Sequence, residues 1–568
     1  MNGLTILLIA AVALLAGFLV YGRYLARKWG IDPSRKTPAV ELEDGKDYVP
    51  NQPVVVFGHH FTSIAGAGPI NGPILAVMFG FGWVPVMLWI ILGGIFIGAV
   101  HDFAAMFASV RNKGKTIGYV IELAIGRTGK KLFLLFVWLF AVLVVAAFTD
   151  IVASTFDGFA ADGVTRIAAS GSAATTSIVF IGVAVLFGFY MRFRKPKAIE
   201  SSVIAIGLLI VCVAIGLAAP MFLGRIGWIY IILLYAYLAS VAPVWALLTP
   251  RDFINTFLLI TIVLAGFLGV IFTRPDVYVS AFAGFTGIHF ATGAGRPMFP
   301  ILFVTVACGA ISGFHSLVAS GTVSKQVSNE RHLLPVGYGG MLIESLLAII
   351  SLIAISAILV GGRLPEGVVT PFQVFSYAIS SFLVAFNLPI ETVRAIILLG
   401  LSAFALTSLD TCARIGRMAV QEFFIEDGKE LSPIAKVITN RWVATAMTIL
   451  FSYALAMLGY QNIWALFGSA NQLLAALGLI ACAVFLKKIK KKGSMLYIPM
   501  FFMLAVTLTA LTLHLSGNFQ NIMAGNFVFN RDFLQIFFGS LLMVLGVVVA
   551  IQGVNKLKGK DSEAETAA

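Results

Sequence analysis

Fifteen stretches of this chain run for about 20 mostly apolar residues, and each is long enough to cross ~30 Å of hydrocarbon as a helix. They lie at 4–22, 53–80, 84–110, 132–156, 175–192, 202–220, 226–247, 252–272, 297–324, 336–360, 391–413, 441–459, 463–486, 495–515 and 534–555. With 59% of 568 residues hydrophobic and 11% charged, one or two water-soluble cores cannot hide this much apolar surface. Lipid is therefore part of the solvent, and helices are the segments that satisfy their own backbone there. The reading is an all-α polytopic membrane protein, in the inner or plasma membrane. Two further stretches, 117–126 and 371–387, are too short or too amphipathic to cross and read as surface helices.

The formal charge of +13 is a topology signal. No basic, aromatic-interleaved patch stands outside the spans, so no nucleic-acid partner is expected. Placing the N-terminus outside puts 32 of the 39 Lys and Arg on the cytoplasmic side, Arg251 among them, and leaves seven outside. The C-terminus is then cytoplasmic. The four cysteines fall within spans and imply no disulfide framework. The first span lacks a basic leading segment and is followed by "GRYLARKWG", so it reads as a retained helix.

Two spans are interrupted near their middles: "VVVFGHHFTSIAGAGPINGPILAVMFGF" and "PILFVTVACGAISGFHSLVASGTVSKQ". Proline removes a backbone donor and glycine weakens a helix, so "GAGPINGP" predicts unwound backbone around Pro69 and Asn71. Such backbone is tolerated at membrane depth only against protein or a water-filled cavity. The interrupted spans are the second and ninth crossings. The odd offset gives them opposite orientations, as in an inverted repeat. The expected organisation is an extra helix at 1–30, a first repeat at 31–272, a second at 273–555 and a cytoplasmic tail at 556–568. Two registers relate the halves. One pairs Gly58, His60 and Gly66 with Gly313, His315 and Gly321; the preferred one pairs Gly68, Ile70, Asn71 and Gly72 with Gly309, Ile311, Ser312 and Gly313.

Ionisable side chains inside a bilayer are costly, at roughly 2.5–3.5 kcal/mol each near the centre, so each needs a reason. The acids within spans are Asp102, Asp150, Glu344 and Asp410, joined by His59, His60, His101 and His315. His59, His60 and His315 flank the interruptions, where an imidazole carries a proton or meets a carboxylate; the alternative is a histidine bonded to a backbone carbonyl. Half-helix N-termini around Gly66, Gly68, Pro69 and Asn71, and around Gly309, Ser312 and Gly313, present N–H groups suited to an anionic substrate. Glycines serving only close packing are the competing reading. Thr407, Ser408 and Asp410 cluster oxygens fit for Na⁺ or for proton relay, against the alternative of an Asp410–Arg414 salt bridge at the membrane boundary. Asp150 is expected near the outer, solvated end of its span, and Asp102 and Glu344 as buried partners of the broken helices. No metal-ligand spacing, cofactor motif or nucleophile–base pair stands out, so neither a metal site nor an enzyme is expected.

Five segments, "NQPVVVFGHHFTSIAGAGPINGPILA", "GAVHDFAAMFASVRNKGKTIGYV", "GAISGFHSLVASGTVSKQ", "GYGGMLIES" and "LTSLDTCARIGR", make the chain resemble the carbon starvation protein A (CstA) family over roughly residues 25 to 510. That resemblance implies a carbon-starvation transporter of peptides or pyruvate, related to the amino acid/polyamine/organocation superfamily. Such a core is a LeuT-like five-plus-five inverted repeat with its first and sixth helices broken. Those would be 53–80 and 297–324. Its eighth helix would be 391–413, with Thr407 and Ser408 at cation-binding positions, and two extra crossings would follow each five-helix unit. The expectation is import coupled to H⁺, with Na⁺ symport and a channel as alternatives.

Overall fold

The computed structural model describes residues 2–44, 48–160, 162–194, 196–243, 246–290, 293–425, 430–526 and 528–558. The last ten residues of the expected tail lie outside them. The chain is all-helical apart from a short antiparallel pair, β1 (Thr286–Ile288) and β2 (Gly295–Pro297). In chain order the main helices are α1 (Gly3–Trp29), α2 (Pro53–Ile64), α3 (Gly68–Met78), α4 (Trp83–Arg111), α5 (Ile117–Phe156), α6 (Ala168–Arg194), α7 (Ala198–Ala218), α8 (Arg225–Val241) and α9 (Leu248–Thr273). They continue with α10 (Met298–Thr305), α11 (Phe314–Gly321), α12 (Glu330–Ile358), α13 (Pro371–Leu383), α14 (Ile390–Phe424), α15 (Arg441–Ala456), α16 (Tyr460–Lys488), α17 (Ser494–Met523) and α18 (Arg531–Lys558).

Among the described residues, twelve helical segments are long and apolar enough to cross a membrane, counting the broken α2–α3 as one. Of the other expected crossings, α8 and α15 are shorter apolar helices. The third is the interrupted pair α10 and α11. Burial separates core from perimeter: the most apolar stretches of α2–α3 and α16 are 100% and 94% buried, that of α7 only 22%. The broken span is thus interior to the protein, as its glycines and prolines require.

Both stretches expected not to cross form helices. The stretch 117–126 does precede a crossing, and Gly126, at φ 81° and ψ −178°, makes the sharp bend that separates the two parts of α5. The stretch 371–387, expected on the surface, forms α13, whose Phe372, Phe375, Ala378 and Ile379 are fully buried against α12 and α14. Its start is set by a capping box between Thr370 and Gln373. Near one face, π-helical turns in α1, α4 and α12 meet at Tyr338, whose hydroxyl donates to Ile95 O at 2.9 Å and Gly17 O at 3.4 Å.

Candidate functional site

The first interruption is short. α2 ends at Ile64, Ala65 turns the backbone out of the helix (φ −74°, ψ 64°), the Gly66 amide closes on Ile64 O at 2.7 Å, and α3 begins at Gly68. Pro69 and Asn71, expected in unwound backbone, therefore lie in the first turn of α3. Proline is tolerated there because first-turn amides have no intrahelical acceptor. In the second interruption Val306 leaves α10 with nearly the same geometry (φ −92°, ψ 60°), and α11 restarts at Phe314. Ala65 and Val306 are equivalent positions in the register that pairs Gly68 with Gly309.

The interruptions touch. A side chain on Gly68 would strike Cys308 Sγ, and one on Gly72 would meet Thr305 O at 2.8 Å, so the small residues of the run let the backbones cross. At this crossing lies a cavity of about 20 Å³ lined by Gly66, Gly68, Cys308, Phe314, Ser408 and Asn471, with phenylalanines around it. A single water needs roughly 10–15 Å³, so the site as folded is closed to anything larger.

Asn471, on α16, closes the second interruption. Its Oδ1 accepts from Phe314 N at 3.1 Å and Ser312 Oγ at 3.2 Å, and its backbone O accepts from Gly313 N at 3.1 Å. Its Nδ2 donates to Cys308 Sγ at 3.3 Å. The N–H groups around Gly309 and Gly313, expected to await an anion, are in part already satisfied. Gly66 and Gly68 line the cavity, with Ser408 Oγ against Gly66 and Cys308 Sγ against Gly68.

From the second residue of α11 the polar residues become ionisable. His315 Nδ1 lies 2.7 Å from Asp102 Oδ2 and His101 Nδ1 2.9 Å from the other carboxylate oxygen, and an ionised Asp102 can only accept, so it takes an N–H from each ring. His315 Nε2 faces Glu344 Oε2 at 3.3 Å. Geometry then constrains protons: with Nδ1–H given to Asp102, the Nε2–Glu344 contact is favourable only if one proton resides on either the imidazole or the carboxyl. His60, His101, Asp102, His315 and Glu344 are all 0% exposed. A side chain on Gly340, one turn from Glu344, would meet the His60 ring at 3.2 Å. Both ring nitrogens of His60 and both amide atoms of Asn71 are buried without a hydrogen-bond partner among the described residues. His59 is only partly buried, with a buried Nε2 that also lacks a partner.

A second buried charged cluster sits between α8, α9 and α14. Asp410 pairs with Arg251, which also bonds the Tyr235 hydroxyl, and that hydroxyl donates to Asp410 at 2.6 Å. The expected Asp410–Arg414 alternative is thereby overturned, since Arg414 donates to the carbonyls of Ala239 and Ala242. Arg251, counted as a cytoplasmic charge, is 1% exposed. Asp252 lies 3.5 Å from its guanidinium, and Asn255 donates to Thr407 at 2.9 Å. Asp150 is likewise buried and not solvated: it accepts from Arg225 Nε at 2.5 Å and from the Tyr460 amide at 2.5 Å, so it caps the start of α16.

Of the residues picked from sequence, the structure brings Asp102, His315 and Glu344 together and sets Ser408 against Gly66. Asp150 stands apart from both clusters. Sequence reasoning passed over Asn471, Arg251, Asp252, Tyr235 and Asn255. The pair "NQ" within the apolar span at 463–486 was the one available signal for Asn471. Among the described residues, no group of three or more His, Cys, Asp or Glu is arranged to hold a metal ion.

A model of the carbon starvation protein CstA family matches residues 2–364 and 366–510. A peptide transporter CstA of Campylobacter jejuni is 33% identical over 88% of this chain and 79% of its own length. One of Bacillus subtilis is 29% identical over 98% of this chain and 97% of its own. A pyruvate/proton symporter of Escherichia coli is 35% identical over 62% of this chain and 49% of its own. Among solved structures, a manganese transporter of Eremococcus coleocola superposes with a TM-score of 0.51 at 12% identity, covering 91% of this chain and 99% of that one. That likeness is one of fold.

Proposed function

Because the chain belongs to the carbon starvation protein CstA family, we propose that it imports pyruvate or short peptides across the inner membrane by alternating access, driven by protons. The observation that carries the coupling is the run His101–Asp102–His315–Glu344, buried beside the crossing of the two broken helices. Phe314 lines the closed cavity and the next residue, His315, belongs to the run. Movement of α11 that opens the cavity therefore also changes the distances over which a proton is shared. The substrate carboxylate binds at the α3 N-terminus, where Gly66, Gly68 and Ser408 leave room for it once the helices part.

The arrangement we infer has fifteen crossings with the N-terminus outside. In its inverted repeat α2–α3 corresponds to α10–α11, α4 to α12, α5 to α14, α8 to α15 and α9 to α16. α9 packs on α2 and α14, as α16 packs on α5 and on both halves of the second broken span. On this mapping the hairpin α6–α7 is an insertion within the first unit, and α17–α18 follow the second. Asp150 on α5 holds the start of α16, and Asp410 on α14 holds Arg251 in the first turn of α9, places that exchange with the halves.

Uptake of labelled pyruvate and of labelled dipeptides into proteoliposomes, under imposed proton or sodium gradients, tests this. Accumulation should follow the proton gradient. Ser408 against Gly66 is the observation favouring sodium, and accumulation driven by sodium alone would transfer the coupling role there. Fast downhill flux indifferent to both ions would make the protein a channel.

A further inference from the structure

A second cavity lies away from the crossing, on the perimeter. A groove of about 670 Å³ runs between α1, α4, α10 and α17, lined by apolar side chains that include Tyr21, Leu92, Phe96, Leu302, Ile498 and Phe502. Its rim opens outward: Leu92 is 51% exposed, Phe96 45% and Ile498 80%. All lie in membrane-length or interrupted membrane helices, so the medium at this rim is hydrocarbon.

One end of the groove is strongly basic. Tyr21 is two residues before Arg23, and Met495 is three residues after Lys492. The two segments meet, with Lys491 Nζ 2.7 Å from the place a side chain on Gly30 would take. Arg23, Arg27, Lys488, Lys490, Lys491 and Lys492 are exposed there. The nearby acids are engaged elsewhere, Glu330 with Arg111 at 2.7 Å and Asp32 with Ser34 at 2.6 Å. A long apolar slot at hydrocarbon depth that ends in cations at the interface matches one kind of molecule.

We propose that the groove seats an acyl chain of an anionic phospholipid, its phosphate held by Arg23, Arg27 and the lysines of 488–492. The site bears on the broken helix, because Trp89 lines the groove while its indole N–H donates to Val306 O at 3.0 Å, the first carbonyl of the second interruption. Phe303, packed edge-on against Trp89 at 4.9 Å, completes that wall. Lipid in the groove thus braces the side chain that satisfies the interruption.

The test uses the full-length protein in detergent with phosphatidylglycerol or phosphatidylcholine carrying bromine on the acyl chain. Quenching of the tryptophan emission that Trp89→Phe removes should saturate at lower phosphatidylglycerol than phosphatidylcholine, by roughly tenfold. Lys488→Gln combined with Lys491→Gln and Lys492→Gln should bring the two lipids within about twofold. Ile498→Tyr, at an exposed rim position that tolerates bulk, should weaken quenching of Trp89 by both, as should Leu92→Phe if it folds. Equal affinity for the two lipids in the parent protein, or unchanged quenching in the Ile498→Tyr variant, overturns the proposal. So does efficient crosslinking of Phe96→Cys between copies in native membranes, which would give this face to a second copy of the chain.

Discussion

The two buried charged clusters are built from similar acids and opposite kinds of cation. Around Asp410 the cation is Arg251, a guanidinium that keeps its proton at any pH the cell meets, and Tyr235 completes the set. Around Asp102 the cations are imidazoles, whose charge is exchangeable, and one of them is shared between two carboxyl groups. The first cluster ties α9 to α14 through a cation that does not release its proton. The second can gain or lose a proton while its hydrogen bonds persist in altered form. Burial alone therefore does not mark a coupling site; the chemistry of the partner does.

The largest expected effect tests the fixed cluster. Arg251→Met leaves Asp410 and Asp252 buried without their cation, which should cost about 3–5 kcal/mol and lower the thermal unfolding midpoint sharply. Adding Asp410→Leu should recover part of the loss, since it removes one of the two acids left without their cation. A single variant as stable as the parent would dissolve the contrast between the clusters.

Next comes the exchangeable cluster. His315→Gln keeps a polar group against Asp102 and removes the titration, so proton-driven accumulation should be lost while downhill exchange of substrate survives in proteoliposomes. His60→Gln is the milder version, expected to weaken uptake or flatten its pH profile. If both variants accumulate substrate with unchanged pH dependence, the run is structural and the comparison fails on its second side.

Asn471→Ala should act on architecture and transport together. It strips partners from Ser312, Cys308 and the Phe314 amide, at a cost of about 1–3 kcal/mol for buried groups left unpaired. Uptake should fall more than stability does, because the second interruption loses its shape; chemical denaturation beside initial rates separates the two readouts.

The smallest effect lies outside both clusters, in the loop between α5 and α6. The Thr165 hydroxyl, at 2.5 Å, together with the Val164 and Thr165 amides, holds the Asp162 carboxyl below its ordinary range. A depressed carboxyl stabilises the fold above its unfolded pKa, and that contribution fades as pH falls through the folded value. Asp162→Asn should therefore slightly lower the unfolding midpoint at neutral pH and converge with the parent in acid. A difference that grows on acidification would reverse the sign.

Much was legible from residue types and short spacings. The runs of apolar residues determined a helical membrane protein, because no other open segment satisfies its backbone in lipid. "GAGPINGP" determined that one helix is broken, since the cause is local: missing donors and missing side chains. Rarity of charge in lipid pointed to Asp102, His315, Glu344 and Asp410. The tertiary structure alone decided their partners. Asp410 and Arg251 are 159 residues apart, and His315 and Asp102 are 213. Hydropathy read along one helix carries no record of which neighbour its rare polar group faces. Asn471 shows this most plainly: a neutral side chain in an apolar run barely disturbs the average, and its role exists only because α16 lies against the second interruption. Pairing of the helices fixes which acid meets an arginine and which a histidine, and that contact decides whether its charge can change.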